Sequence, residues 1–347
     1  MLFPLDLQEQ FSAHMRGLLQ RIPSTSFLLA VSGGADSIAL LYLMHHFIQK
    51  HAPHFSLSVA TMDHQLRPES ADEVKKVAHL CAALKVTHHA VIWEGEKPVY
   101  RLQERAREAR YALLHNLCLN IGATTLMTAH HYDDQLETFF MRLLKGSGTF
   151  GLLGMKEHEL LSHYHFIHTP SFQKESPPIS LVRPLLPFSK KKLIEYLAYH
   201  DISFVCDPSN ENQKFTRVKW RQILLQMEAF GFDLSHLKKT FHHMEEEQHF
   251  LQKYIEIGVT ECFKKGFKDG RWILDRVAFL NLDPFLQKRV MRSMLDTLSD
   301  KKYPPKFKKI AACVNSIGKR HSFTCGGYTW RFHKDMYVLE KEKTRSK

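Results

Sequence analysis

The sequence predicts an α/β fold: a doubly wound parallel sheet, followed by a mostly helical, basic C-terminal region with a small terminal hairpin. Three observations carry this. Apolar strand-like runs alternate with helical stretches over the first 145 residues, the pattern of a parallel sheet with helices on both faces. A glycine-rich turn, Ser32-Gly33-Gly34, sits where the first strand hands over to the first helix. Charge is divided unevenly: up to Val205, 20 Lys+Arg face 19 Asp+Glu, whereas from Cys206 onward 28 face 17. The 347 residues match two units at about 150 per domain. We therefore expect units at 1–205 and 206–347.

The elements follow in order. Phe27-Leu28-Leu29-Ala30-Val31 is a short apolar run, and a helical pattern extends from Ser37 to His46. Phe55 to Met62 is the second strand and Ala71 to Leu84 the second helix. Ala90-Val91-Ile92-Trp93 precedes a long helix from Arg101 to Leu119, and Thr125 to Ala129 precedes a helix from Asp133 to Leu144. In such sheets ligands bind beyond the carboxyl ends of the strands. Residues 146–187, rich in Gly, Pro and Ser, break the alternation. Ser189 to Tyr199 reads as an amphipathic helix and Asp207-Pro208-Ser209-Asn210 as a turn. Beyond Lys214 the pattern is mostly helical to Ile317. Thr324 to Leu339, with Gly326-Gly327 at its turn, reads as the hairpin.

Composition narrows the function classes. Apolar residues at 44% and charged ones at 24% are ordinary globular values. The six cysteines contain no C-x-x-C pair, which argues against four-cysteine zinc and a disulfide framework and for a reducing cytoplasm. The start has two acids and no cationic cap, so no signal peptide is expected, and no run is apolar enough for a membrane span. A neutral half joined to a basic half fits a polyanionic partner gripped by the second, only a little ahead of a basic surface kept for solubility.

The strongest motif is Ser32-Gly33-Gly34-Ala35-Asp36-Ser37 at the first strand–helix junction. Two glycines let backbone N–H groups close around phosphate oxygens, and a helix N-terminus adds its positive end. Ser32 and Ser37 add hydroxyls. No lysine follows the glycines, so this is not the lysine-bearing loop of ordinary NTPases. Asp36, an anion among phosphates, calls for a metal between them, and Mg2+ suits it. A hydrolase nucleophile elbow and a plain Gly-Gly turn are the rivals, and neither accounts for Asp36 and Ser37.

The second cluster is His130-His131-Tyr132-Asp133-Asp134-Gln135-Leu136-Glu137-Thr138, after the fourth strand. Asp134 and Glu137, three apart, share a helix face. Acids in a first helical turn also complement the helix dipole, but three carboxylates at one sheet edge need a cation. A metal or an amine substrate would serve. Other patterns fail on context. Gly146-Ser147-Gly148-Thr149-Phe150-Gly151 follows a helix instead of a first strand. His158, Glu159 and His163 have the wrong spacing for a zinc protease, and His242, His243 and His249 read as a solvated helix face.

Taken together these motifs reach a family. The Ser32 to Ser37 loop resembles the signature of the N-type ATP pyrophosphatases, the PP-loop proteins. Asp63-His64-Gln65-Leu66-Arg67-Pro68-Glu69-Ser70 and the His130 to Thr138 cluster narrow the resemblance to the tRNA(Ile)-lysidine synthases. Arg107-Glu108-Ala109-Arg110-Tyr111, Leu143 to Gly148, Arg183-Pro184-Leu185-Leu186 and Asp207 to Asn210 also fit, in the family's order. The match spans Phe27 to Arg221. Where the family carries Arg-Asn-Arg, this chain reads Arg217-Val218-Lys219-Trp220-Arg221.

The resemblance implies a PP-loop catalytic domain over 1–205 and a tRNA-binding region over 206–347. It implies ATP and Mg2+ as reactants, with free lysine and a CAU-anticodon isoleucine tRNA as substrates; the oligomeric state, a homodimer included, stays open. Ser32, Gly33, Gly34, Ala35, Asp36, Ser37, Asp63 and His64 are the candidate ATP site, with Asp36 as Mg2+ ligand. Asp134, Glu137 and Arg110 are the candidate lysine site and, with Asp36, the catalytic set. Arg217, Lys219, Arg221, Lys306, Lys308 and Lys309 are candidate tRNA contacts. A PP-loop tRNA thiolase and a tRNA-binding protein without catalysis are the alternatives; thiolases generally need paired cysteines, which the spacings here do not supply.

Overall fold

Four strand–helix units build the first part of the chain, as the alternation predicts. The computed structural model describes residues 5–22, 24–63, 65, 70–94, 100, 102–161, 177–205, 216–265, 271–298 and 307–342. The units are β1 (Ser26–Ala30) with α2 (Ala35–His51), β2 (Ser56–Asp63) with α3 (Ser70–Ala83), β3 (Thr87–Ile92) with α4 (Leu102–Ile121), and β4 (Thr125–Thr128) with α5 (Tyr132–Leu143). A helix the sequence reading did not delineate, α1 (Leu5–Arg21), precedes them. After α5 come a short α6 (Thr149–Leu152), β5 (His158–Leu161), β6 (Ile179–Val182), α7 (Lys190–Tyr199) and α8 (Thr216–Ala229).

The strands form one sheet in the order β3-β2-β1-β4-β6-β5, parallel except for β5 against β6. Strand order runs one way from β1 to β3 and the other way through β4 and β6. The crevice between β1 and β4 is thus the switch point where such sheets bind ligands. Helices cover both faces. Phe11, Met15 and Leu18 of α1, most of the apolar side of α2, and Leu193 and Leu197 of α7 share one buried cluster. Tyr111, Leu114 and Cys118 of α4 pack with Leu28, Leu126 and Leu181 in another. Each fully buried side chain of this size contributes about 1.5–3 kcal/mol over an exposed one.

The segment read as an interruption, 146–187, contains β5 and β6 instead. His158 and Glu159 lie on the strand β5, with His158 against Ser180 (3.2 Å), whereas His163 lies outside the described residues. The Asp207 to Asn210 turn lies outside the described residues. The chain divides into units at Met1–His236 and Leu237–Lys347, later than the charge boundary at 205/206. The physical reason is α8: it is cationic like the second half, but Trp220 stacks on Phe140 of α5 (5.6 Å, 18°), and that contact holds it in the first unit.

The second unit is helical at its start, with α9 (Leu237–Cys262), α10 (Arg276–Asn281), α11 (Pro284–Leu298) and α12 (Phe307–Gly318). The terminal hairpin proves to be part of a five-stranded antiparallel sheet. Its strands are β7 (Phe263–Lys265), β8 (Trp272–Asp275), β9 (Phe323–Cys325), β10 (Tyr328–His333) and β11 (Met336–Lys341), in the order β7-β8-β11-β10-β9. Trp330 is fully buried against Phe323, stacked at 5.4 Å. Arg276 donates to the Ile317 and Gly318 carbonyls at the end of α12, satisfying acceptors that a helix terminus leaves open. Among the described residues one disulfide, Cys313–Cys325, joins α12 to β9; the sequence argues against a disulfide framework, and no spacing motif marks this pair because folding brings it together. His242 pairs with Glu246 on the exposed side of α9, as a solvated face should. No helix among the described residues is long and apolar enough to cross a membrane.

Candidate active site

Ala30 at the end of β1 and Thr128 at the end of β4 are register partners. The turns that follow them therefore leave the sheet side by side over the crevice. The first turn is the glycine loop. Gly33 has φ of 89°, a conformation open to glycine at little cost, and its carbonyl accepts the Val205 N–H (2.9 Å). Ser37 braces the loop from inside: its hydroxyl donates to the Gly34 carbonyl (2.9 Å) and accepts the Ser32 N–H (3.2 Å). Gly34 caps α2, so the first N–H groups of that helix open at the mouth of the loop, suited to an anion.

The second turn begins α5. His131 is its N-cap, its backbone N–H donating to Asp134 Oδ2 (3.1 Å) in a reciprocal capping box. The same histidine's ring is the hub of the site. Nε2 lies 3.5 Å from Asp36 Oδ2 and 3.6 Å from Asp134 Oδ2, and Nδ1 lies 3.5 Å from Asp133 Oδ2. Burial works against the imidazolium, but its close contacts with Asp133 and Asp36 and the charge of Asp134 overcome it and lift its pKa to about 10. Lys190, at the start of α7, adds a second cation: Nζ is 3.4 Å from Asp36 Oδ2, and its backbone N–H donates to Asp133 Oδ2 (2.8 Å). Burial raises the Asp36 pKa, yet His131 and Lys190 together hold it below the ordinary carboxylate value.

Sequence reasoning quoted His131 without giving it a role and missed Lys190 altogether. The histidine's place among three carboxylates was a usable signal. For Lys190 there was none, because 154 positions separate it from Asp36. Replacing His131 by Gln is expected to cost about 2–3 kcal/mol in urea unfolding, at or below the low end for a broken buried pair, since Asp36 and Asp133 keep partial access to water. The sign with pH follows from the raised pKa. His131's contribution is full below its ordinary 6.5 and is lost as pH rises through about 10, so the gap between wild type and variant should close over that window. A gap that widened with pH would contradict a buried imidazolium.

The carboxylates divide into two settings. Asp36 Oδ1 is buried with no hydrogen-bond partner among the described residues, a free anionic oxygen at the edge of the phosphate loop. That donor fits Mg2+, which takes one or two protein carboxylates and completes its shell with water and phosphate oxygens. Glu137 sits one turn further along α5 and is fully buried (0% exposed). Its Oε1 accepts the Nε–H of Arg221 of α8 (3.0 Å), with Nη2 of the same guanidinium at 3.0 Å as an ion pair; its Oε2 has no hydrogen-bond partner among the described residues. Burial raises the Glu137 pKa, against the opposing pull of Arg221.

The remaining expected residues are placed unevenly. Asp63 accepts from Gln65 N–H (2.8 Å) and Ser70 Oγ (2.6 Å), tying the end of β2 to the start of α3; His64 lies outside the described residues. Arg110 lies over the Tyr111 ring (5.6 Å), and among the described residues no ion pair joins it to Asp134 or Glu137. Burial lowers its pKa, and Arg107 and Arg217 add like charge. His130, bonded to Thr128 Oγ1 (2.9 Å), is held neutral by burial and by Arg183, Arg107, Arg110 and Arg217. Arg217 and Lys219 are exposed on α8, and Lys308 and Lys309 on α12; Lys306 lies outside the described residues. Arg221, also a candidate tRNA contact, is paired with Glu137 and keeps about a third of its side chain exposed. The free cysteines among the described residues, Cys81, Cys118 and Cys262, are buried, with thiols pushed up to about 11, 12 and 11, and are inert by that measure.

Comparison with known proteins places this geometry. A family model described as the PP-loop domain matches residues 7–228. The chain is 35% identical over 300 residues to the tRNA(Ile)-lysidine synthase of Rhodopseudomonas palustris, covering 85% of this chain and 80% of that protein. It is 33% identical over 295 residues to the tRNA(Ile)-lysidine synthase of Methylobacterium nodulans, covering 85% and 81%. Among solved structures, the U34-tRNA thiolase NcsA of Methanococcus maripaludis superposes with a TM-score of 0.54 at 15% identity, over 69% of this chain and 79% of that one. That likeness is one of fold.

Proposed function

The chain belongs to the tRNA(Ile)-lysidine synthase family of PP-loop proteins, and we propose that it joins free lysine to C2 of the wobble cytidine of CAU-anticodon tRNA(Ile). ATP is cleaved to AMP and pyrophosphate. In the first step cytidine O2 attacks the α-phosphorus and pyrophosphate leaves. In the second the lysine ε-amine attacks C2, and AMP leaves with the former O2. The product decodes AUA instead of AUG, and a tRNA substrate assigns the activity to the cytoplasm.

One observation carries this reading: a phosphate loop and a carboxylate cluster converge on one crevice, joined through His131 between Asp36 and Asp134. The loop backbone and the start of α2 would hold the triphosphate, with Asp36 as the protein's donor to Mg2+. When bound, Mg2+ would neutralise the charge of the departing pyrophosphate. Glu137 and Asp134 suit a cationic amino acid. A lysine amine with pKa near 10.4 is neutral in only about one molecule in a few thousand at pH 7, so a carboxylate that binds the ammonium and takes its proton answers a real need. Arg110 is assigned to the lysine α-carboxylate. Asp63 and His64 are assigned to the nucleotide. Counting pyrophosphate and AMP separately tests the two steps. Pyrophosphate release should need tRNA but not lysine, and AMP release should need both; pyrophosphate released without tRNA would contradict the order.

The basic second half is assigned to tRNA phosphates, with Arg217 and Lys219 of α8 and Lys306, Lys308 and Lys309 near the start of α12 as contacts. Each phosphate neutralised adds about 0.9 to the log–log salt slope on duplex RNA-like backbone, and less on single strands. Changing Lys306, Lys308 and Lys309 to Gln should therefore flatten the slope by about 2–3 and weaken isoleucine and methionine tRNAs alike. An unchanged slope would make the run a solvated face, and selective loss of isoleucine tRNA would make it a reader of identity.

A further inference from the structure

Arg221 sits where the proposed substrate's ammonium should sit. Its guanidinium donates Nε–H to Oε1 of Glu137, 84 positions away on α5, and brings Nη2 to 3.0 Å of the same oxygen, and the carboxylate beneath is completely covered. Glu137 Oε2 meanwhile has no hydrogen-bond partner among the described residues. A buried carboxylate with one oxygen on a guanidinium and the other orphaned is only half satisfied, which is costly for a purely architectural pair. It is what a ligand site looks like when a surrogate cation occupies it. The surrogate can also leave. Its side chain is 32% exposed, so an anion can reach it from solvent. Trp220, stacked on Phe140, anchors α8 to α5 independently, so the guanidinium can swing out while the helix stays in place. Arg217, one turn earlier and exposed, shares a helix face with Arg221, so a phosphate seated on Arg217 lies within reach of both.

We infer that Arg221 is an internal plug of the lysine site: it holds Glu137 until tRNA phosphate bound along α8 draws the guanidinium away, making lysine capture conditional on bound tRNA. The inference rests on the assignment of Glu137 to the lysine ammonium group made above. The plug keeps the buried carboxylate charge-paired in the free enzyme. It hands that carboxylate to lysine only when an acceptor nucleotide is present, and it gives one cationic helix two partners in turn.

The test is calorimetric lysine binding to the full-length protein with a non-hydrolysable ATP analogue, with and without isoleucine tRNA. Wild type, Arg221→Gln and Arg221→Lys are compared. Wild type should bind lysine about tenfold more tightly when tRNA is present, within the usual range of coupling between sites. Arg221→Gln should erase that ratio by tightening binding without tRNA, and Arg221→Lys, which keeps a cation on the stem, should restore part of it. Weaker lysine binding by Arg221→Gln in both states would overturn the plug, because Arg221 would then be shaping Glu137 for lysine. A wild-type ratio near one, or a ratio that survives in Arg221→Gln, would overturn it equally. Formation of the lysine-bearing nucleoside by wild type is scored alongside: its presence with a failed ratio refutes the plug alone, whereas its absence, with no lysine bound in any state, refutes the functional reading and the plug together.

Discussion

Asp36→Asn is expected to lower pyrophosphate release by at least about a thousandfold while leaving tRNA affinity unchanged. The change is nearly isosteric, so the glycine loop, braced by Ser37, should keep its shape. What disappears is the negative charge of the buried, unpartnered Oδ1, the donor at the loop's edge that suits Mg2+. Polyphosphate charge then goes uncompensated in the adenylation step, where a metal contributes several kcal/mol. The amide would also loosen the attraction to His131 and Lys190, both centred on Asp36 Oδ2, so modest loss of stability should accompany the loss of rate. Wild-type release by the variant, measured with tRNA binding in the same preparation, would remove Asp36 from the mechanism.

Glu137→Gln is expected to spare the first step and cripple the second. Pyrophosphate release should stay within about threefold of wild type, because Glu137 lies on α5, a turn beyond Asp134, and not on the phosphate loop. The lysine concentration for half-maximal AMP release should rise by about a hundredfold, the worth of a charged hydrogen bond at a desolvated site. The adenylated tRNA should accumulate. Because an amide cannot take the ammonium proton, raising lysine should recover only part of the rate. An unaltered lysine requirement would dismiss Glu137 from the lysine site, and an equal loss in both steps would show that it shapes the whole crevice.

Much of this site is legible in the residues because the chemistry is local. Ser32 to Ser37 and His130 to Thr138 are each contiguous, each follows a strand of strong apolar character, and parallel strands deliver both to one edge of the sheet. What escapes is long-range or short-lived in pattern. Lys190 and Arg221 reach Asp36 and Glu137 from helices far along the chain, and nothing in spacing links an Arg in a cationic helix to a carboxylate 84 positions earlier. Four-residue strands such as β5 and β6, in a stretch rich in Gly, Pro and Ser, carry too few alternations to register as period two. The strands β7 and β8 are missed for the same reason, pressed between helices. Charge divides the chain at a different place from packing, because α8 is cationic in composition but held on α5 by its tryptophan.

Mass analysis of the wobble nucleoside is the most direct test of the central claim. Isoleucine tRNA with a CAU anticodon is incubated with the protein, ATP and lysine, then digested to nucleosides, with each component omitted in turn. Cytidine carrying one lysine, with loss of one water, should appear only in the complete mixture, and an AMP-bearing cytidine should be trapped when lysine alone is left out. A sulfur-bearing nucleoside, or unmodified cytidine in the complete mixture with tRNA bound, would contradict the account.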